Sequence, residues 1–277
     1  MEMGNLFGPL TVLIAALVTM SAPQAAGLLK GFGGDGTVYE AARMSESNDK
    51  DWWVNSGAYF HRSGGIGMTV QGELAGQDRW RLLYATTNPV DTDGGYHPQN
   101  LLRLVTRSKF KNFTQQVYFN IERINLSDSP NRNESNGVLF FHRYRDGNNL
   151  YYAGIRVDGH AVIKKKLNGQ YSTLNSVPIY HGAYDRASKP NLIPTHQWIG
   201  MRTAISDGSD GKVVIALYLK DDLLGPGWTK VLEAEDTSTA GAPLLKEGYA
   251  GIRTDFMDIR FKDYEAIENT PAGDSGR

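Results

Sequence analysis

Cysteine is absent from the 277-residue chain, which excludes disulfides, thiolate metal centres and cysteine nucleophiles. An excess of one charge is absent too: 29 Lys and Arg stand against 30 Asp and Glu, a formal net charge of −1. No global field draws such a chain to nucleic acid or an acidic membrane, so nucleic acid is not expected as a partner. Affinity for a polyanion has to come from a local basic patch. Long hydrophobic runs are scarce. The one at residues 7–18 is too short for a comfortable bilayer span, and no second run is long enough. Glu2 precedes that run with no Lys or Arg, and small residues follow at Ser21, Ala22, Ala25 and Ala26. The segment 1–26 is read as a cleaved signal peptide, with an uncleaved anchor or a buried helix as the alternative. A periplasmic or extracellular (secreted) location is therefore expected, with no stable membrane insertion after cleavage. The Gly-x-Ser-x-Gly elbow, His-Glu-x-x-His, the phosphate loop and the GxGxxG fingerprint are all missing.

Hydrophobic residues make up 40% and charged residues 21% of the chain, a globular balance that excludes wholesale disorder. Beyond the leader, short runs rich in Val, Ile, Tyr, Phe and Thr alternate with Gly, Asn and Asp, the pattern of an all-β protein. Strands are predicted at 67–73, 79–85, 101–106, 115–124, 137–144, 150–157, 160–166, 198–205, 212–219, 229–233 and 248–261. No linker divides them, so residues 27–264 are read as a single β-sandwich domain and 265–277 as a disordered tail.

The segment 137–166 fixes a predicted register. Asp146-Gly147-Asn148-Asn149 reads as a four-residue hairpin loop and Asp158-Gly159 as a two-residue type I′ turn. Those turns pair Arg143 with Tyr152, Phe141 with Gly154, Ile155 with Val162 and Tyr152 with Lys165. One face then carries Phe140, Ala153, Ile155, Val157 and Val162 and belongs to the core, with His142 as a structural histidine. The other carries Phe141, Arg143, Tyr152, Gly154, Arg156, Ile163 and Lys165. The sequence Tyr152-Ala-Gly-Ile-Arg156 recurs as Tyr249-Ala-Gly-Ile-Arg253, each followed two residues on by Asp158 or Asp255. A glycine between an aromatic ring and a guanidinium leaves a trough for a ligand, or simply marks a bulge beside a solvated arginine.

Trp198-Ile-Gly-Met-Arg202, Val213-Val-Ile-Ala-Leu-Tyr218, Gly227-Trp228 and Gly248-Tyr-Ala-Gly-Ile-Arg253, ending in Asp258-Ile-Arg-Phe261, resemble the second half of a concanavalin A-like (laminin-G-like) sandwich. The resemblance implies an all-β, two-sheet antiparallel β-sandwich of the jelly-roll kind, in a superfamily of carbohydrate-active and carbohydrate-binding proteins. Its laminarinase-related hydrolases carry a Glu-x-Asp-x-x-Glu strand that is absent here. Tyr151-Tyr152-Ala153-Gly154 is faintly similar to a strand of the alginate-lyase-like jelly rolls, but their Gln-Ile-His and Arg-Ser/Thr-Glu-Leu motifs are missing. Because one fold hosts many functions, fold is implied more firmly than activity.

Lyase chemistry on a uronate needs a cation to neutralise the carboxylate, a base for the neighbouring proton and an acid for the leaving oxygen. Arg143, Arg156 and Lys165 are the expected cations and Tyr152 the expected base and acid, its pKa lowered by their field. Tyr249 and Arg253 are expected to extend the binding face, and Tyr96, His97 and Gln99 to reach it from the polar loop 91–100. The run Lys164-Lys165-Lys166 is otherwise a solvated edge. Asp91 and Asp93 could hold calcium, although the EF-hand pattern fails at Leu102 and Asx chemistry in a Gly-rich turn is the more frequent explanation; no other cofactor is expected. The function expected is cleavage of an acidic, uronate-containing polysaccharide by β-elimination, with a polysaccharide or oligosaccharide as ligand. The alternatives are a non-catalytic carbohydrate-binding or adhesion module, and a glycoside hydrolase using carboxylates such as Glu73, Glu122, Glu134 or Asp255.

Overall fold

The computed structural model describes residues 27–222, 224–238 and 240–269; the expected signal at 1–26 and the expected tail from 270 onward lie outside them. Among the described residues the strands are β1 (Leu28–Lys30), β2 (Gly36–Tyr39), β3 (Trp52–Ser56), β4 (Tyr59–Ser63), β5 (Ile66–Met68), β6 (Arg103–Phe110), β7 (Phe113–Ile124), β8 (Gly137–Asp146), β9 (Asn149–Arg156), β10 (His160–Leu167), β11 (Gln170–Pro178), β12 (Ile199–Asp207), β13 (Val213–Lys220), β14 (Thr229–Asp236), β15 (Gly248–Thr254) and β16 (Met257–Glu268). They form two antiparallel sheets, one of nine strands ordered β14-β13-β12-β7-β16-β5-β4-β2 with β1 beside β16, the other of seven ordered β11-β10-β9-β8-β15-β6-β3. The two sheets pack face to face as a β-sandwich around one core. No helix among the described residues is long and apolar enough to cross a membrane.

Alternation builds the interior. In β7 every second residue from Phe113 through Gln115, Val117 and Phe119 to Ile121 is buried, and β12 and β13 meet it with Met201, Ile205, Ile215 and Leu217. The seven-stranded sheet departs from simple alternation, because most of β8 and β9 is buried on both faces. Its inner face joins the core. Its outer face carries a second apolar layer that includes Trp53, Val105, Leu139, Phe141, Tyr144, Tyr152 and Val162. A sheet face buried twice over marks where loops and neighbouring strands wall in a groove rather than open water.

The hairpin register differs from the expected one in two places. Between β9 and β10 the chain turns through three residues, Val157-Asp158-Gly159, with Gly159 N–H donating to Arg156 O (2.9 Å) and Gly159 at φ +83°. Ile155 therefore pairs with Ala161 and Tyr152 with Lys164. One residue of slip moves every β10 side chain to the opposite face. Lys165 and Ile163 enter the core, while Val162 and Lys164 join Tyr152 outside. Between β8 and β9, Phe141 pairs with Tyr152, and the register shifts between His142 and Asp146. Arg143 sits in that irregularity at φ +49° and turns inward.

Other expectations change as well. Residues 79–85, predicted as a strand, lie in the helix α1 (Arg79–Thr87), because Asp78 at its N-cap accepts from Trp80 N (2.7 Å) and Arg81 N (3.4 Å) ahead of good helix formers. The predicted strand 248–261 is two strands split at residues 255–256. Residues 265–268, assigned to the tail, finish β16, where Glu265 pairs with Gln116 and Glu268 with Phe113.

His142 occupies the core face with its Nε2 at 2.6 Å from Thr203 Oγ1 and its ring 5.6 Å from that of Phe113. Burial, with a smaller contribution from Arg143, lowers its pKa to about 3. The folded value lies below the unfolded one, so the unfolded chain takes up the proton first. This group costs nothing above the unfolded pKa, and its contribution to stability is lost as pH falls below it. Between about pH 6 and pH 4 the expected loss from His142 alone is about 1.4 kcal/mol per pH unit. Urea midpoints across that range should fall more steeply in the wild type than in His142→Gln; equal slopes would remove His142 as the cause.

Candidate functional site

The outer face of the seven-stranded sheet ends in a cleft of about 410 Å³. Strand pairing arranges its floor in rows. One row runs Arg103, Arg253, Leu139, Gly154 and Val162 across β6, β15, β8, β9 and β10. The next runs Val105, Gly251, Phe141, Tyr152, Lys164 and Thr173, reaching β11. Beyond it, Tyr171 of β11 pairs with Lys166. The walls come from the loop before β8, with Asn131, Asn133 and Asn136, and from the β15–β16 turn, with Asp255 and Phe256.

Two cations of this cleft have no carboxylate within ion-pair distance among the described residues. Arg103 has only a long contact from Nη1 to Ser56 Oγ (3.4 Å), and Lys164 lies between Tyr152 and Thr173. Burial, then the charges of Arg156 and Arg253, lowers the Lys164 pKa. Arg253 is held by Asp255 Oδ1, at 2.9 Å from Nε and 2.8 Å from Nη2, and its guanidinium carbon lies 5.6 Å from the centre of the Tyr152 ring. Asp255 Oδ2 is buried and has no hydrogen-bond partner among the described residues.

Two tyrosines sit against these cations. Their rings stack with centroids 6.0 Å apart and planes at 29°. Tyr152 is buried, and that burial pushes its pKa up to about 12 despite Arg253. Tyr171 is 52% exposed. Partial burial works to raise its pKa, but Arg253, a hydrogen bond with Tyr152 and the charge of Lys166 outweigh it, so the group lies below the ordinary tyrosine value. Lys166 Nζ stands 4.7 Å from the centre of the Tyr171 ring. Neighbouring groups pushed apart in pKa are the arrangement in which one holds a proton while the other exchanges it.

The expected site residues divide sharply. Tyr152 and Arg253 line this cleft. Arg156 lies on the same sheet face, but its guanidinium is spent on Glu134 O (3.0 Å) and Asp158 Oδ2 (2.6 Å), outside the cleft. Arg143 is a buried structural residue that contacts Lys111 O (3.1 Å), Leu244 O (2.8 Å), Asn112 Oδ1 (3.0 Å) and Asp207 Oδ1 (2.7 Å). Lys165 pairs with Asp236 at 2.8 Å, both fully buried, and is no ligand contact. Tyr249 stands at the other end of β15, under Lys109 Nζ at 5.6 Å from its ring centre. The expected trough at the glycines is filled by the adjacent strands: a Cβ on Gly154 would meet Val138 O at 2.2 Å, and one on Gly251 would meet Leu104 O at 2.3 Å.

The polar loop 91–100 satisfies itself. Tyr96 lies 4.5 Å below the Arg81 guanidinium, His97 Nδ1 is 3.0 Å from Asp93 Oδ2, and buried Gln99 donates to Asp258 Oδ1 (2.7 Å) and Gly72 O (2.9 Å). None of the three lines the cleft. Asp91 accepts from Ser129 Oγ (2.5 Å) and Asn131 Nδ2 (2.9 Å), and Asp93 from Ser127 Oγ (2.5 Å). Among the described residues no three His, Asp or Glu side chains cluster as a metal site would require.

Sequence reasoning missed Tyr171, Arg103 and Lys164. The signal for Tyr171 was present: Asn168-Gly169 adopts φ of +51° and +83° and joins Leu167 to Gln170 as a tight hairpin. The polar composition of β11 disguised it as loop.

A larger cleft of about 730 Å³ opens elsewhere, beside α1. The smaller one is the candidate site, because the unpaired cations and the paired tyrosines converge there.

No family model and no curated protein matches the chain. Among solved structures, the carbohydrate-binding module CBM66 from Bacillus subtilis superposes with a TM-score of 0.47 at 13% identity, covering 79% of this chain and 96% of that one. The Bacillus licheniformis beta-glucanase gives a TM-score of 0.43 at 9% identity, covering 86% and 100%. The exoplasmic/lumenal domain of VIP36 in its Ca²⁺/Man₃GlcNAc-bound form gives 0.45 at 8% identity, covering 86% and 90%. At identities of 8–13% none of these decides what this chain binds.

Proposed function

We propose that the cleft binds a uronate-containing polysaccharide and cleaves it by β-elimination. The carrying observation is the stacked pair Tyr152 and Tyr171, pushed apart in pKa beside Arg253. Arg103, Lys164 and Arg253 supply positive charge for a sugar carboxylate. With the carboxylate neutralised, the C–H beside it becomes acidic enough for removal by a phenolate. Tyr171, in its deprotonated form, takes that proton. The electron pair left behind forms a carbon–carbon double bond as the adjacent glycosidic C–O bond breaks. The departing oxygen takes a proton back from the Tyr171 hydroxyl, so no water is consumed. Tyr152 keeps its own proton and donates a hydrogen bond to the Tyr171 oxygen, favouring the phenolate.

Hydrolysis fits less well, since one cleft carboxylate, Asp255, is bound to Arg253 and the other, Asp91, accepts from Ser129 and Asn131. An acidic-glycan-binding module using the same cations is the second reading, favoured by Arg103 and Lys164 standing without carboxylate partners among the described residues. The N-terminal apolar run fits export to where such polymers occur.

Binding is tested by calorimetric titration of Tyr171→Phe, which cannot consume its ligand by this route. An oligouronate and its carboxyl-reduced, neutral counterpart are compared. The charged form is expected to bind about 10- to 100-fold more tightly, the value of a charge-assisted contact of about 1.5–3 kcal/mol. Equal affinity for both would show that the cations do not read a carboxylate.

A further inference from the structure

The nine-stranded sheet has a cleft of its own, about 730 Å³, at its β5-β4-β2 edge. Val38 and Phe60 enter the core, so Thr37 and Tyr39 of β2 and Tyr59 and His61 of β4 face outward. Register sets Thr37 opposite His61 and Tyr39 opposite Tyr59, giving a block half polar and half aromatic. Thr37 Oγ1 and His61 Nδ1 are 3.0 Å apart, and the tyrosine rings meet edge to face at 6.5 Å. The start of α1 forms the opposing wall. There the Arg79 guanidinium lies 4.9 Å from the Tyr39 ring centre and 4.7 Å from that of Trp80.

The volume falls within the range of small-molecule sites, roughly 300–1,000 Å³. The chemistry differs from that of the first cleft. Asp78 and Arg79 are its oppositely charged lining residues, and the Arg79 guanidinium is already engaged over two rings. A carboxylate ligand would meet Asp78 without an unengaged cation to compensate. An uncharged ligand with an apolar face and a hydroxyl rim would meet the rings of Tyr39 and Tyr59 and the polar side chains of His61, Gln71 and Asp78 around them. We propose that this cleft is a second glycan site, specific for a neutral oligosaccharide stacked on Tyr39. It stands independently of the acidic-glycan reading of the first cleft.

The test titrates the full chain with gluco-, xylo- and manno-oligosaccharides and with an oligouronate. Tyr171→Phe, which does not consume the oligouronate, is compared with Tyr39→Ala and Arg103→Ala made in that same background; Tyr39 is 42% exposed at a sheet edge, so its replacement leaves the fold intact. At least one neutral series is expected to bind, with affinity reduced about tenfold or more by Tyr39→Ala, as for an aromatic contact residue, and unchanged by Arg103→Ala. The proposal fails if no neutral series binds, or if Arg103→Ala rather than Tyr39→Ala abolishes neutral binding. It also fails if Tyr39→Ala weakens the oligouronate instead.

Discussion

Lys165→Met is expected to destabilise the fold by about 3–5 kcal/mol, the range for breaking a buried ion pair from one side. Lys165 Nζ lies 2.8 Å from Asp236 Oδ2 and 2.6 Å from Gly241 O, with both charged side chains fully buried. Asp236 also accepts from Tyr151 OH at 2.5 Å, and that hydroxyl accepts from Leu244 N at 3.0 Å. The group therefore joins β9 and β10 of one sheet to β14 of the other. Methionine fills the space of the lysine stem and leaves Asp236 charged without its cation, and that desolvated charge is the source of the loss. Replacing both partners, as in Lys165→Met with Asp236→Leu, should recover most of it. Lys164→Met is the matched control: on the other face, without a carboxylate partner, it should cost under about 1 kcal/mol. Urea unfolding of these variants decides the register directly. The expected hairpin with a two-residue turn would exchange the effects of Lys164 and Lys165.

Tyr171→Phe is expected to lower turnover of a polyuronate by about 10²- to 10⁴-fold, the usual contribution of a general base or acid. The ring remains to stack on Tyr152, so affinity should change by no more than about twofold to threefold, well below one tenfold step of about 1.4 kcal/mol. The side chain is 52% exposed, so stability should hold within about 0.5 kcal/mol. Tyr152→Phe is the informative neighbour. Losing its hydroxyl removes a hydrogen bond that lowers the Tyr171 pKa, so the alkaline rise of the rate should move to higher pH while the rate at high pH is largely kept. Wild-type turnover in Tyr171→Phe would assign the proton transfer to another group.

The fold was legible because strands with strong alternation, such as β7, β12 and β13, need only the period-two pattern to be seen. The outward placement of Tyr152, Gly251 and Arg253 followed from the same logic. What failed was local. The Val157-Asp158-Gly159 turn holds one residue more than an Asp-Gly pair implies, and that residue moved Lys165 inside and Lys164 outside. Arg143 left its face because its backbone takes a positive φ that alternation cannot anticipate. Residues 80–84 were read as strand because their aromatic and leucine content suits strand and helix equally, and the capping role of Asp78 was not recognised. Charge complementarity was the least legible quantity. A lysine that pairs with Asp236, and an arginine that pairs with Asp207, look in sequence like any solvated cation.

The most direct test is product analysis. Wild-type protein is incubated with a polyuronate and with its carboxyl-reduced form, and unsaturated-end absorbance and reducing ends are followed together. The expected result is that both signals rise in parallel on the polyuronate alone, and that both vanish in Tyr171→Phe. Reducing ends without absorbance, or neither signal while the polymer is still retained, would contradict elimination at this cleft.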